Sequence, residues 1–202
     1  MQLSSPSRGG RLRVRAFTLV EIIVALAVML ILAAVAVPSL NGYLDQKTVE
    51  DAADRLALVA TGIDDFENAL NRNTSRLSFL STIIVKSDPN YLDSCGQQFT
   101  KNANINNWEN NGPFVNFLIE RNTGLVTSIG VARDTLTRIP FSATTGNLRL
   151  NFLDGVEQRY AQLLDEYIDA GNGRLIGTVQ WSDPPVDGLV TMHYFVPINA
   201  QC

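Results

Sequence analysis

The chain has 202 residues, 46% of them hydrophobic, with 16 basic and 20 acidic side chains and a formal charge of −4. That length suits one compact domain plus an appended segment. The acidic balance argues against electrostatic nucleic-acid binding by the chain as a whole. Cys95, Cys202 and a lone His193 form no cluster that would suggest a metal site, so neither metal nor cofactor is expected.

Residues 1–16 contain Arg8, Arg11, Arg13 and Arg15 and no acidic residue. From Leu19 to Val37 every residue is apolar except Glu21. Together with Phe17, Thr18 and residues 38–40, this stretch reaches the roughly 20 residues that span a bilayer. Arginines on its N-terminal side, and Asn41, Asp45 and Gln46 after it, put the N-terminus in the cytoplasm and send the rest outward. A carboxylate in such a segment costs a few kcal/mol, which makes Glu21 a functional-site candidate in need of a positive partner. That partner is a neighbouring copy's helix, or a new amino terminus if the chain is cut before Phe17.

An ordinary secretory signal peptide would instead be cut after Ala34-Val35-Ala36. Glu21 and the length of the apolar run both count against that reading. A plain membrane anchor for an unrelated binding module is the alternative of a different class.

The string Arg15-Ala16-Phe17-Thr18-Leu19-Val20-Glu21-Ile22 resembles the N-terminal motif of type IV prepilins and of the pseudopilins of type II secretion. The resemblance implies removal of the leader 1–16 by a prepilin peptidase between Ala16 and Phe17. It further implies N-methylation of Phe17 and an assembly role for Glu21, the fifth residue of the mature chain. Pro38 falls where many family members carry a helix-breaking proline. Ala16 departs from the glycine usual before the cut, though a small residue is retained. The implied partners are other pilin-like subunits in a homo- or hetero-polymer, the peptidase/methyltransferase and the inner-membrane assembly machinery. The implied location is the inner membrane first, with the head in the periplasm, and then a filament. Removing the leader takes away four arginines and leaves 12 basic residues against 20 acidic ones.

After Pro38, Val49, Ala52, Leu56, Val59, Ile63, Phe66 and Leu70 recur at spacings of three and four. This is a narrow apolar stripe on a helix that is otherwise charged. The expected division is thus a lipid-embedded helical half over 17–40, an amphipathic half over 41–71 and a globular head over 72–202. Pro38 should kink the helix, because it lacks an N–H and clashes with the preceding turn.

Within the head, 77–86 reads as a strand or a short helix, and the asparagine-rich 102–113 as irregular loop. Strands are expected over 114–120, 125–132, 138–141 and 148–152, with turn signals at Asn122-Thr123-Gly124 and Thr145-Gly146-Asn147. Asp154 and Glu157 resemble a capping box opening a helix from about 156 to 169, stopped by Gly171 and Gly173. A closing hairpin, 174–181 with 189–197, completes an α+β fold: a long N-terminal helix on a mainly antiparallel sheet.

A body outside the cytoplasmic membrane would sit in an oxidising compartment, where Cys95 and Cys202 would normally pair. Many type IV pilins similarly close a C-terminal region with a disulfide. No motif assembles a catalytic centre, so no enzymatic activity is expected, and His193 reads as a residue of an alternating strand. Asp165, Glu166, Asp169 and Asn172 offer hard oxygen ligands, but their spacing fits no calcium loop and favours a solvated helix end. Trp108 and Trp181 read as core residues rather than contact markers.

Overall fold

The computed structural model describes residues 18–83, 91–99, 104–142, 145–153, 155–182 and 187–199. It divides into two compact units, one ending at Tyr43 and the other starting at Leu44. The helix α1 covers Leu19–Leu70 and includes Pro38. It ends at Asn71, whose φ of 54° is the left-handed conformation that stops helices and that asparagine tolerates better than most residues. The Asn71 amide donates to Glu67 O at 2.7 Å.

In the second unit the apolar stripe behaves as its spacing predicts. Val49, Ala52, Leu56, Val59, Ile63, Phe66 and Leu70 are all at most 3% exposed. They share one core cluster with Leu148, Leu150, Phe152, Met192, Tyr194, Val196 and Ile198 from the sheet. Phe66 meets the rings of Phe99 and Phe114 edge-on at 5.8 and 5.3 Å, geometries that suit aromatic quadrupoles.

The sheet is antiparallel and is organised around β4 (Thr145–Leu153). β8 (Met192–Asn199) pairs along one edge of β4. The other edge is shared by β3 (Thr137–Pro140) and then β2 (Gly130–Ala132). β1 (Leu125–Thr127) extends the sheet beyond β2, and β6 (Val179–Trp181) pairs with β8. A second, two-stranded sheet joins β5 (Val156–Glu157) to β7 (Leu189–Val190). Side chains of β8 alternate strictly between buried and more open positions, so one face of the sheet meets α1 and the other faces away. The α+β architecture expected from the sequence is the one observed.

Several local expectations change. Residues 114–120 form no strand; Phe114 and Val115 instead donate their amides to Leu80 O, at 2.8 and 3.3 Å. Residues 125–132 are two strands folded at Ser128-Ile129, not one. Leu77–Leu80 is a 3-10 turn, and residues 84–86 lie outside the described residues. The asparagine-rich stretch contains a short helix, α2 (Asn106–Asn111). What orders it is Trp108, which is buried and donates from Nε1 to Phe79 O at 2.7 Å.

The second long helix, α3, is Gln158–Asp169. Glu157 occupies its N-cap without a side-chain capping bond, and Asp154 lies outside the described residues. Ala170, in the left-handed conformation at φ 56°, caps the other end ahead of Gly171. Of the first arm of the expected hairpin only β6 is strand. Of the second, Leu189–Val190 leaves to pair with β5.

Candidate functional site

The first turn of α1 is the part of the chain with the clearest chemistry. Thr18 precedes the helix and its Oγ1 accepts the Glu21 amide at 3.3 Å, while its carbonyl accepts the Ile22 amide at 3.2 Å. Thr18-Leu19-Val20-Glu21 thus has the Ser/Thr-x-x-Glu form of a helix-opening box. The signal was present in the sequence and is separate from the cleavage motif that overlies it. A carboxylate in the first helical turn also complements the positive end of the helix dipole. Glu21 is exposed, as is every residue from Thr18 to Val37.

Leu19, Val20, Ile22, Ile23, Val24 and Leu26 are each about half or more exposed, with apolar side chains on every side of the helix. By length and composition α1 has a segment able to cross a membrane. Such a surface requires lipid or other helices around it. Glu21 is the one acidic or basic side chain between Leu19 and Leu44, so any charge partner for it must come from elsewhere. Ala16 and Phe17, the residues of the expected cut, lie outside the described residues.

Cys95 sits in the 91–99 segment, where its amide donates to Asp93 Oδ1 at 2.9 Å. Cys202 lies outside the described residues. That segment is tied to the chain just after α1: Arg72 Nη1 contacts Asp93 Oδ2 at 3.0 Å and the Ser94 amide donates to Asn73 O at 3.0 Å.

The acids ending α3 are not simply solvated. Asp165 is buried, its Oδ2 accepts the Gly173 amide at 3.3 Å and its Oδ1 has no hydrogen-bond partner. Burial, opposed by that hydrogen bond, raises its pKa above the usual carboxylate value. Asp169 Oδ2 accepts the Val179 amide at 2.7 Å. These carboxylates hold the loop that leads into β6. Among the described residues no group of three or more His, Cys, Asp or Glu is arranged to hold a metal ion. Trp181, like Trp108, is buried. His193 lies on β8 as expected, half-buried and beside Phe195 at 6.4 Å between ring centroids.

Residues 11–37 match the family model described as the prokaryotic N-terminal methylation motif. No curated protein and no solved structure matches the chain. The matched segment holds Arg11, Arg13, Arg15, Ala16, Phe17, Glu21 and most of the apolar run. Over that segment the chain carries the prepilin-type motif of type IV pilins and pseudopilins, and the helix that includes its apolar run is long and apolar enough to cross a membrane.

Proposed function

We propose that the chain is a structural subunit, a major or minor pilin, of a type IV pilus-like filament. Prepilin peptidase removes residues 1–16, Phe17 becomes the methylated N-terminus, and the apolar helix first holds the subunit in the inner membrane. The head lies on the periplasmic side until the subunit enters the filament, whose core is built from these helices. What carries the reading is Glu21: one carboxylate near the start of a helix that is otherwise apolar all round, directly after a methylation motif. In a desolvated core it pairs with the amino group of Phe17 on a neighbouring subunit, and either charge left alone would cost several kcal/mol.

Pairing of Cys95 with Cys202 belongs to the same reading and favours a pilus over a secretion pseudopilus. Two experiments test the proposal. The mass of the N-terminal peptide from native membranes should correspond to a start at Phe17 plus one methyl group. A start at Val37 would identify a signal peptide and a secreted module instead. The Glu21→Ala variant should be cleaved normally yet form no filaments, and normal filaments from it would remove the assembly role.

A further inference from the structure

The six strands of the larger sheet contain three residues that can carry charge, Arg138, Arg149 and His193, all of them basic, and no Asp or Glu at all. Acids are concentrated elsewhere: the second half of α1 carries Asp45, Glu50, Asp51, Asp54, Asp64, Asp65 and Glu67 against Lys47 and Arg55. The register places the basic groups. Arg149 on β4 stands opposite Phe195 on β8, and Asn151 stands opposite His193. Thr137 on β3 stands opposite Arg149, and Gln180 on β6 opposite His193. Paired residues share a face, and Leu148, Leu150, Tyr194 and Val196, one step along each strand, are buried against the core. Arg149, Asn151, Gln180, His193 and Phe195 therefore lie together on the face turned away from α1.

This face has an unmet electrostatic requirement. Arg149 Nε and His193 Nδ1 are both buried with no hydrogen-bond partner, and no carboxylate pairs with Arg149 among the described residues. Buried polar groups are normally satisfied, and the Arg149 guanidinium is a charge that no described carboxylate neutralises. The neighbouring groups are amides and one aromatic ring, with few fixed charges.

We propose that this outward sheet face binds a carboxylate-bearing polysaccharide, a uronate chain. Arg149 takes a carboxylate through its planar fork, which matches that group's geometry. Asn151 and Gln180 meet sugar hydroxyls, and Phe195 packs against an apolar ring face. The sparseness of the charge selects this ligand over nucleic acid. Nucleic-acid affinity grows with the number of phosphates neutralised, and the face offers only Arg149 and, in register with Asn151, Arg133 in a chain of charge −4. A uronate presents isolated carboxylates between hydroxyl-bearing rings, which is the pattern the face offers.

The inference concerns the single subunit and stands apart from filament assembly. It is tested with the full processed chain dispersed in non-ionic micelles, titrated with oligogalacturonate, a neutral galacto-oligosaccharide of equal length, single-stranded DNA and polyglutamate. Oligogalacturonate alone should bind saturably. Arg149→Gln should weaken that binding about tenfold, the loss expected for one charge-assisted hydrogen-bonding group. Asn147→Glu, which places a carboxylate on the same face two positions from Arg149, should weaken it as well. Equal or tighter binding of DNA or polyglutamate overturns the proposal, as does equal binding of the neutral glycan. Unchanged oligogalacturonate affinity in both variants does the same. A subunit that binds uronate but whose Glu21→Ala form still makes filaments would sink the assembly reading and leave this one intact.

Discussion

Asn73 Nδ2 donates to Asn199 O at 2.8 Å, joining the end of β8 to the segment that follows α1 across 126 positions of sequence. The Ser94 amide donates to the carbonyl of the same Asn73 at 3.0 Å. Residues 94 and 199 therefore bind one residue from two sides, and two residues separate Asn199 from Cys202. A Cys95–Cys202 disulfide would lock an arrangement the hydrogen bonds already make. The oxidised protein should show no titratable thiol before reduction. Cys95→Ala should cost about 2–5 kcal/mol, the usual loss on removing a native disulfide. Urea unfolding of the oxidised protein and the variant measures the difference, and equal stability with free thiols in the parent would disprove the bond.

A second long-range tie is ionic. Asp134 is 5% exposed, its Oδ1 accepts the Ser78 amide at 2.7 Å and its Oδ2 meets Arg76 Nη1 at 2.9 Å. The carboxylate anchors the 3-10 turn to the strand-rich half of the head. Asp134→Ala leaves a buried amide unpaired and should cost about 1.5–3 kcal/mol. Asp134→Asn keeps one acceptor for Ser78 and should cost less. An alanine variant as stable as the parent by urea titration would show that Arg76 and Ser78 find other partners.

How much of this was legible in the residues depends on whether local pattern or tertiary context decides each element. The stripe from Val49 to Leu70 could be read because one helical face is buried along its whole length. The 114–120 segment could not, because its apolar residues suit a strand while its amides at 114 and 115 are claimed by Leu80 O, thirty-odd positions away. The asparagine run was misjudged for a similar reason: propensity favours turns there, but burial of Trp108 fixes a helical turn. At the N-terminus the motif of Ala16, Phe17 and Glu21 was fully visible, since it is a linear signal. The charge segregation between α1 and the sheet needed strand register, which no local pattern supplies.

Stability should depend on pH through His193. Burial and then the charge of Arg149 hold its pKa below the ordinary 6.5, with Asn151, Gln180 and Phe195 completing its surroundings. A base with a depressed folded-state pKa takes up a proton more readily when unfolded. No penalty exists above pH 6.5, where both states are neutral at this site. As pH falls below that value the unfolded state gains protons first and stability declines. His193→Gln should flatten this part of the profile. Parallel urea midpoints at pH 7.5 and pH 5.5 for the two proteins decide it: identical slopes would remove His193 as the cause.

Gly62 gives the prediction in which structure reverses the expectation from sequence. It lies inside α1, and replacing a helical glycine by alanine ordinarily stabilises by about 1 kcal/mol. Here a Cβ at residue 62 would stand 2.8 Å from Val115 Cγ1 and 2.9 Å from Phe114 O. The second neighbour is backbone, and its position is fixed by the bonds from the amides of Phe114 and Val115 to Leu80 O. The helix and the 114–115 segment approach this closely because residue 62 has no side chain. Gly62→Ala must therefore push apart two packed pieces of backbone, an overpacking cost of about 1–3 kcal/mol that outweighs the helix-propensity gain. The variant should unfold at lower urea than the parent. Gly42→Ala, where nothing lies within 4 Å of the added carbon, serves as the control and should show no such loss. A Gly62→Ala protein more stable than its parent would mean that the 114–115 segment yields freely, and that its hydrogen bonds to Leu80 do not hold it against the helix.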